Sequence, residues 1–197
     1  MSDFNIYYMY KLFKYLEEKE GRVLNIPSII KIFGKHNLDF DLAEEVQNLI
    51  EEGHDPNINN NEALGISSYY GYLDTVKLLL MDERVDPSDR DNLPIRNASY
   101  MGHFEIVKLL LEDNRVDPCA GGNEAIRWSS FNGDIELVKL LLQDSRVDPS
   151  VWDNYAIKSA YNNGHKEIIK LLLNCDKVKN SLSVEDYLKY KKEIRDL

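Results

Sequence analysis

Apolar and small residues recur along this chain on a single ruler. Leu78-Leu79-Leu80, Leu109-Leu110-Leu111, Leu140-Leu141-Leu142 and Leu171-Leu172-Leu173 stand 31 residues apart. Gly71, Gly102, Gly133 and Gly164 keep that interval, as do the Asp-Pro pairs beginning at Asp55, Asp86, Asp117 and Asp148. The pentapeptide Arg-Val-Asp-Pro-Ser is written at 84–88 and again at 146–150, with Arg-Val-Asp-Pro-Cys between them at 115–119. A fixed period of this size marks a stack of repeated units. In the unit from Asp91 to Pro118, Pro94 suits a first helical turn, where its missing N–H costs nothing. Ile95, Ala98 and Ser99 lie three and four apart and share one face, small enough for close packing. Gly102 ends that helix. A second helix is expected from about Phe104 to Glu112. It is apolar on most sides through Ile106, Val107, Leu109, Leu110 and Leu111, so neighbours must cover it. Pro118 then pushes Asp117 toward extended geometry. Each unit therefore reads as helix, tight turn, helix and extended loop.

The ends of the array must hide its apolar faces. Ser183 is placed to cap a last helix running to about Arg195, with Asp186 as its capping-box partner. Asp186 falls 31 residues after Tyr155, which makes this helix the first half of a fifth unit. Upstream, residues 41–57 read as the second helix and loop of a disguised unit whose first helix is Pro27 to Phe33. A longer helix is expected before it, from about Asp3 to Lys19, carrying Phe4, Tyr7, Tyr8, Tyr10, Phe13 and Tyr15 as a cap. The expected organisation is an N-terminal helical cap with a degenerate unit over 1–56, four repeats over 57–178, and a C-terminal capping helix over 179–197.

Composition narrows the function. The formal charge is -10, from 34 Asp+Glu against 24 Lys+Arg. This opposes a nucleic-acid binder, which needs a basic footprint. The first residues lack the basic start and apolar run of a signal peptide, and the leucine runs are too short to span a membrane. A cytoplasmic protein is expected. Cys119 and Cys175 make no disulfide framework. Cys119 takes the place of Ser88 and Ser150, so it reads as an exposed loop thiol. His36, His54, His103 and His165 have no metal-ligand spacing, and no nucleophile elbow or P-loop is present. Glu44-Glu45 and Glu51-Glu52 read as solvated helix faces. No enzyme, cofactor or metal is expected.

The segment Gly-His-Phe-Glu-Ile-Val-Lys-Leu-Leu-Leu at 102–111 resembles the second-helix signature of ankyrin repeats. Gly-His-Lys-Glu-Ile-Ile-Lys-Leu-Leu-Leu at 164–173 repeats it, and residues 71–80 and 133–142 are variants. The family's Thr-Pro-Leu-His start is degraded here to Leu93-Pro94-Ile95-Arg96 and similar words. The common ankyrin period is about 33, so these units are shorter. The wording "Asp-Asn-x-Ala-Ile-Arg/Lys" and "Arg-Val-Asp-Pro" resembles arrays encoded by giant DNA viruses of amoebae. The resemblance implies an all-α ankyrin-repeat solenoid of helix-turn-helix units with a 31-residue period. It also implies that His103 and His165 bond neighbouring backbone.

The same resemblance implies a non-enzymatic module that binds a partner protein through its concave face, a host protein if the chain is viral. The candidate positions are the two before each helix-ending glycine and the loop tips. The former are Tyr69 and Tyr70, Tyr100 and Met101, Phe131 and Asn132, and Asn162 and Asn163. The latter include Ile58, Asn59 and Asn61; Asp89, Arg90 and Asn92; Ala120, Gly121 and Asn123; and Val151, Trp152 and Asn154. Large aromatics in three successive units form a stripe that folding does not require, unless longer side chains or the N-terminal segment cover the rings. Trp128 occupies the internal position held by Ile66 and reads as core or inter-repeat packing. Two other functions remain open. One is a ubiquitin-ligase adaptor working through the N-terminal helices, on the weak spacing Leu24-x-x-Pro27-x-x-Ile30. The other is an acidic decoy that occupies a basic nucleic-acid-binding protein. Capped ends imply a monomer.

Overall fold

A computed structural model describes residues 25–36 and 41–195 of the chain. The helix expected over about 3–19, its aromatic residues and Leu24 lie outside the described residues. Twelve helices and no strand occur among those described. The helices α1 (Ile26–His36) and α2 (Leu42–Glu51) come first. Four pairs follow: α3 (Ile58–Tyr70) with α4 (Leu73–Leu80), and α5 (Asp89–Met101) with α6 (Phe104–Leu111). Then come α7 (Ala120–Asn132) with α8 (Ile135–Leu142), and α9 (Val151–Asn162) with α10 (Lys166–Leu173). The short α11 (Asp176–Ser181) and α12 (Val184–Glu193) close the array.

The 31-residue period becomes rows of buried side chains that run from unit to unit. Leu64, Ile95, Ile126 and Ile157 form one row; Val76, Val107, Val138 and Ile169 a second; Leu79, Leu110, Leu141 and Leu172 a third. All are at most 1% exposed. Burying each such side chain is worth about 1.5–3 kcal/mol. The first helices α3, α5, α7 and α9 pack on one another far more closely than the second helices do. Small residues allow this: Ala63, Ala98, Ala125, Ala156, Ser67 and Ser129 are buried along them. The first helices thus form the more closely packed side of the stack, called the inner face below.

The junction into each first helix differs from the extended loop expected. Each of α3, α5, α7 and α9 begins with three successive left-handed residues before the right-handed helix starts. These are Asn59-Asn60-Asn61, Arg90-Asp91-Asn92, Gly121-Gly122-Asn123 and Trp152-Asp153-Asn154, all with φ between 53° and 67°. Left-handed geometry strains residues that carry a Cβ, and Gly, Asn and Asp tolerate it best. That rule accounts for ten of these twelve residues, the Asn, Asp and Gly of the triplets, leaving Arg90 and Trp152 outside it, and for Asn as the invariant third member.

That asparagine is the main correction to the loop-tip expectation. Asn61, Asn92, Asn123 and Asn154 are 3–7% exposed, not presented at loop tips. The Asp86 backbone N–H donates to the Asn61 side-chain oxygen at 3.0 Å. Asp117 donates likewise to Asn92, and Asp148 to Asn123, each at 2.7 Å. The Ser181 hydroxyl ends the series on Asn154 at 2.8 Å. A second ladder runs through the repeated pentapeptide. Arg115 Nη1 donates to the Val85 carbonyl at 2.9 Å and Arg146 Nη1 to that of Val116 at 3.0 Å. Lys177, one period on, donates to Val147 at 2.9 Å. Asp86 and Asp148 each accept from the backbone N–H and hydroxyl of the serine two residues later, closing the turn.

The last helix departs from the period. Ser183 caps α12 as expected, accepting from Asp186 N at 3.0 Å and donating to Asp186 Oδ2 at 2.8 Å. However, α12 packs mainly on α10, a second helix, rather than on the first helix α9 before it. Tyr161 stands where sister units have Ser68, Ser99 and Ser130, and its ring meets the buried Tyr190 ring at 5.2 Å.

Candidate protein-binding face

The pre-glycine positions lie at the C-terminal ends of the inner helices. Gly71, Gly102 and Gly133 take φ values of 79–85° and end α3, α5 and α7 there. No side chain could replace two of them without collision, because His103 lies against Gly71 and His165 against Gly133. His103 Nε2–H donates to the Tyr69 carbonyl and His165 Nε2–H to that of Phe131, both at 2.9 Å. The two histidines are therefore engaged with backbone. Asp134 holds the intervening place and cannot donate. The Asn132 side-chain amide instead donates to the Tyr100 carbonyl at 2.7 Å. Burial pushes the Asp134 carboxyl above its ordinary range, and the Asn132 amide and His165 pull it back.

The aromatic residues form a connected line across three units. The Tyr69 and Tyr100 rings stack at 6.5 Å, Tyr100 meets Trp128 edge-on at 4.8 Å, and Trp128 meets Phe131 edge-on at 5.7 Å. Such pairs add about 0.5–1.5 kcal/mol each beyond area burial. They hold the rings in place without covering them: Tyr100, Met101 and Phe131 remain 44%, 41% and 40% exposed. Tyr69 is half-buried. Tyr70 is half-buried too, and its ring lies against Gly34 of α1, where a Cβ would fall 2.5 Å from it.

Trp128, expected in core or inter-repeat packing, takes the second place: it is half-buried, packs on Tyr100 of the preceding unit and joins the line. Its indole N–H donates to Glu124 at 2.8 Å. The register carried a signal for this: the position is Ile66, Asn97, Trp128 and Ser159 in successive units, whereas buried rows keep one character. Among the other candidates, Asn162 and Asn163 are exposed. Asp89 is half-buried and accepts from the Asn61 side-chain amide. Arg90 is exposed at φ 53°. Asn92, Asn123 and Asn154 leave the face for the ladder described above.

Trp152 sits at the open end of the face, 66% exposed and at φ 53°. A bulky residue there costs about 1–3 kcal/mol and persists only where its surroundings impose it. The Arg127 guanidinium lies over its ring at 4.4 Å, and over the Tyr155 ring at 5.5 Å. Neither Arg127 nor Tyr155 stood among the candidates read from sequence, because register alone does not show which side chains of adjoining units meet.

Charge is divided between the two sides. On the inner helices acids and bases nearly match: Asp89 and Asp91 with Arg90 and Arg96, Glu124 with Arg127, and Asp153 with Lys158, leaving Glu62 in excess. The surplus acid lies in residues 41–55, with Asp41, Glu44, Glu45, Glu51, Glu52 and Asp55, and in the loops that follow α4 and α6. Cys119 is half-buried rather than exposed, and its thiol donates to the Arg146 carbonyl at 3.0 Å. Burial, with Asp117 beside it, pushes that thiol up to about 11, which keeps it un-ionised near neutral pH. Among the described residues no group of three or more His, Cys, Asp or Glu is placed to hold a metal ion. No described helix is long and apolar enough to cross a membrane.

Residues 38–121 match the family model for ankyrin repeats (3 copies). Among curated proteins none matches the chain. Repeats of this kind are generally protein–protein interaction modules. The pairs α7–α8 and α9–α10 continue beyond the matched span with the same buried rows and left-handed junctions, so the chain folds as an ankyrin-repeat solenoid.

Proposed function

We propose that the chain is a non-enzymatic module that binds one partner protein through its inner face, with Tyr69, Tyr100, Trp128, Phe131 and Trp152 as anchors. The observation that carries this reading is the unbroken line of partly exposed rings across three units, continued by an exposed Trp152 in a strained backbone. Aromatic side chains bring large apolar area at low entropic cost, and an exposed row of them is a liability unless it is covered by a partner. On the resemblance of the repeat wording to arrays of giant DNA viruses, that partner would be a host-cell protein met in the host cytoplasm. We assign residues 1–56 and 179–197 to the capping of four repeats over 57–178, in a monomer.

The near-neutral inner face argues against the acidic-decoy reading, which would place the surplus carboxylates on the binding surface. A pull-down at low and high salt, comparing the natural chain with a Tyr100→Ser/Phe131→Ser/Trp152→Asn variant of unchanged helix content, separates these readings. The expected result is a partner held at both salts and lost with the variant. A partner kept by the variant would overturn the inner-face reading, and one lost steeply with salt would favour the decoy. Deleting residues 1–40 tests the adaptor reading: an adaptor would keep its target and lose a second partner.

A further inference from the structure

We propose that the partner segment delivers a carboxylate to Arg127, with an apolar residue beside it on Trp152. This rests on the inner-face reading and names the chemistry it selects. The position of Arg127 is occupied in successive units by Gly65, Arg96, Arg127 and Lys158. The other two cations are answered within the chain: Arg96 Nε lies 2.5 Å from Glu124 Oε2, and Lys158 Nζ 2.5 Å from Asp153 Oδ2. Arg127 has no carboxylate at ion-pair distance among the described residues. Its Nε and Nη2 donate to the carbonyls of Gly122 and Gly121 at 3.0 and 2.9 Å. Those two bonds fix the guanidinium plane and leave the Nη1 edge for an incoming acceptor.

The setting is built for such an acceptor. The Trp152 and Tyr155 rings lie against the half-buried guanidinium, and an apolar ring surface beside a cation strengthens its pairing with an anion. Trp152 can stand there only because residue 122 is glycine, since a Cβ at that position would fall 2.5 Å from the indole nitrogen. The corresponding residues are Asn60, Asp91 and Asp153 in the other units. The glycine pair of one unit, the exposed tryptophan of the next and the unanswered arginine thus form one seat, made once in the array. Glu124 and Asp153 stand in the two units that build this seat, so a singly charged carboxylate fits better than a phosphate. The planar fork of arginine also matches a carboxylate edge.

The test selects binders from a random-sequence peptide display library on the full chain, then titrates the strongest as a synthetic peptide. Enriched peptides are expected to carry Asp or Glu next to an apolar residue. Changing that residue to its amide should weaken binding about tenfold or more. Arg127→Gln should do the same, with the two losses failing to add, and Arg127→Lys should restore part. Enrichment without acidic residues, no enrichment, indifference to the amide, or tighter binding of a phosphoserine version would each overturn the proposal. Peptides lost on Tyr100→Ser/Phe131→Ser yet indifferent to Arg127→Gln would overturn it while upholding the inner face. Peptides indifferent to both would overturn both readings. The amide comparison needs no change in the protein, so it decides the matter even if Arg127→Gln folds poorly.

Discussion

Asparagine at the third left-handed position of each unit solves two problems with one side chain. It tolerates a φ of 55–58°, and its oxygen accepts the backbone N–H of the next unit's Asp-Pro turn. Loss of the acceptor strands a backbone donor, at a cost of about 1–3 kcal/mol. Asn123→Ala loses both the acceptor and the tolerance of φ, whereas Asn123→Gly loses only the acceptor. Urea unfolding should therefore place Ala below Gly, and both below the natural chain. Equal midpoints for Ala and Gly would show that the left-handed turn carries no strain at that residue. Asn132 illustrates how local chemistry redirects a residue from binding to structure: where Asp134 replaces histidine, its amide takes over the bond to the preceding unit.

At the scale of the element, a helix pair is joined to the next by groups at its turns as well as by its apolar rows. The arginine of each repeated pentapeptide pairs with an aspartate two residues earlier, and Arg115 and Arg146 reach back to the preceding unit. Arg115 and Arg146 hold Asp113 and Asp144 below the ordinary carboxylate range, chiefly through those side-chain hydrogen bonds. A carboxyl depressed in the folded state contributes stability above its unfolded pKa of about 3.9 and loses it as the pH falls through the folded value. Each arginine is more than two-fifths exposed, so each pair is worth only about 0–1 kcal/mol. The natural chain should lose stability as the pH drops below about 4, and Arg115→Gln/Arg146→Gln should flatten that slope. Chemical denaturation across this range reads it directly, and an unchanged slope would remove the two pairs from the account.

Among the described residues the principal contacts of each unit are with its neighbours, so stability is a sum of units and interfaces. The C-terminal end is closed by Tyr190, 1% exposed against Tyr161. Tyr190→Ala should cost about 3–5 kcal/mol at that end. Hydrogen exchange should show protection falling in α9, α10 and α12 while α5 and α6 keep theirs. A uniform loss over the array would mean that the units unfold as one body.

The period, the helix pairs, the glycine stops and the all-α solenoid were legible in the sequence. Each follows from side-chain type at fixed spacing, and a repeated unit states its pattern several times. The capping of α12 by Ser183 and Asp186 was legible for the same reason. The left-handed junctions, the asparagine ladder, the seating of Tyr70 on Gly34 and the place of Trp128 in the aromatic line were decided by the tertiary structure. So was the meeting of Arg127 with Trp152 and Tyr155. These depend on how far apart neighbouring units stand. Spacing along one chain says which residues share a face; only the packed units determine which faces meet and which are left to a partner.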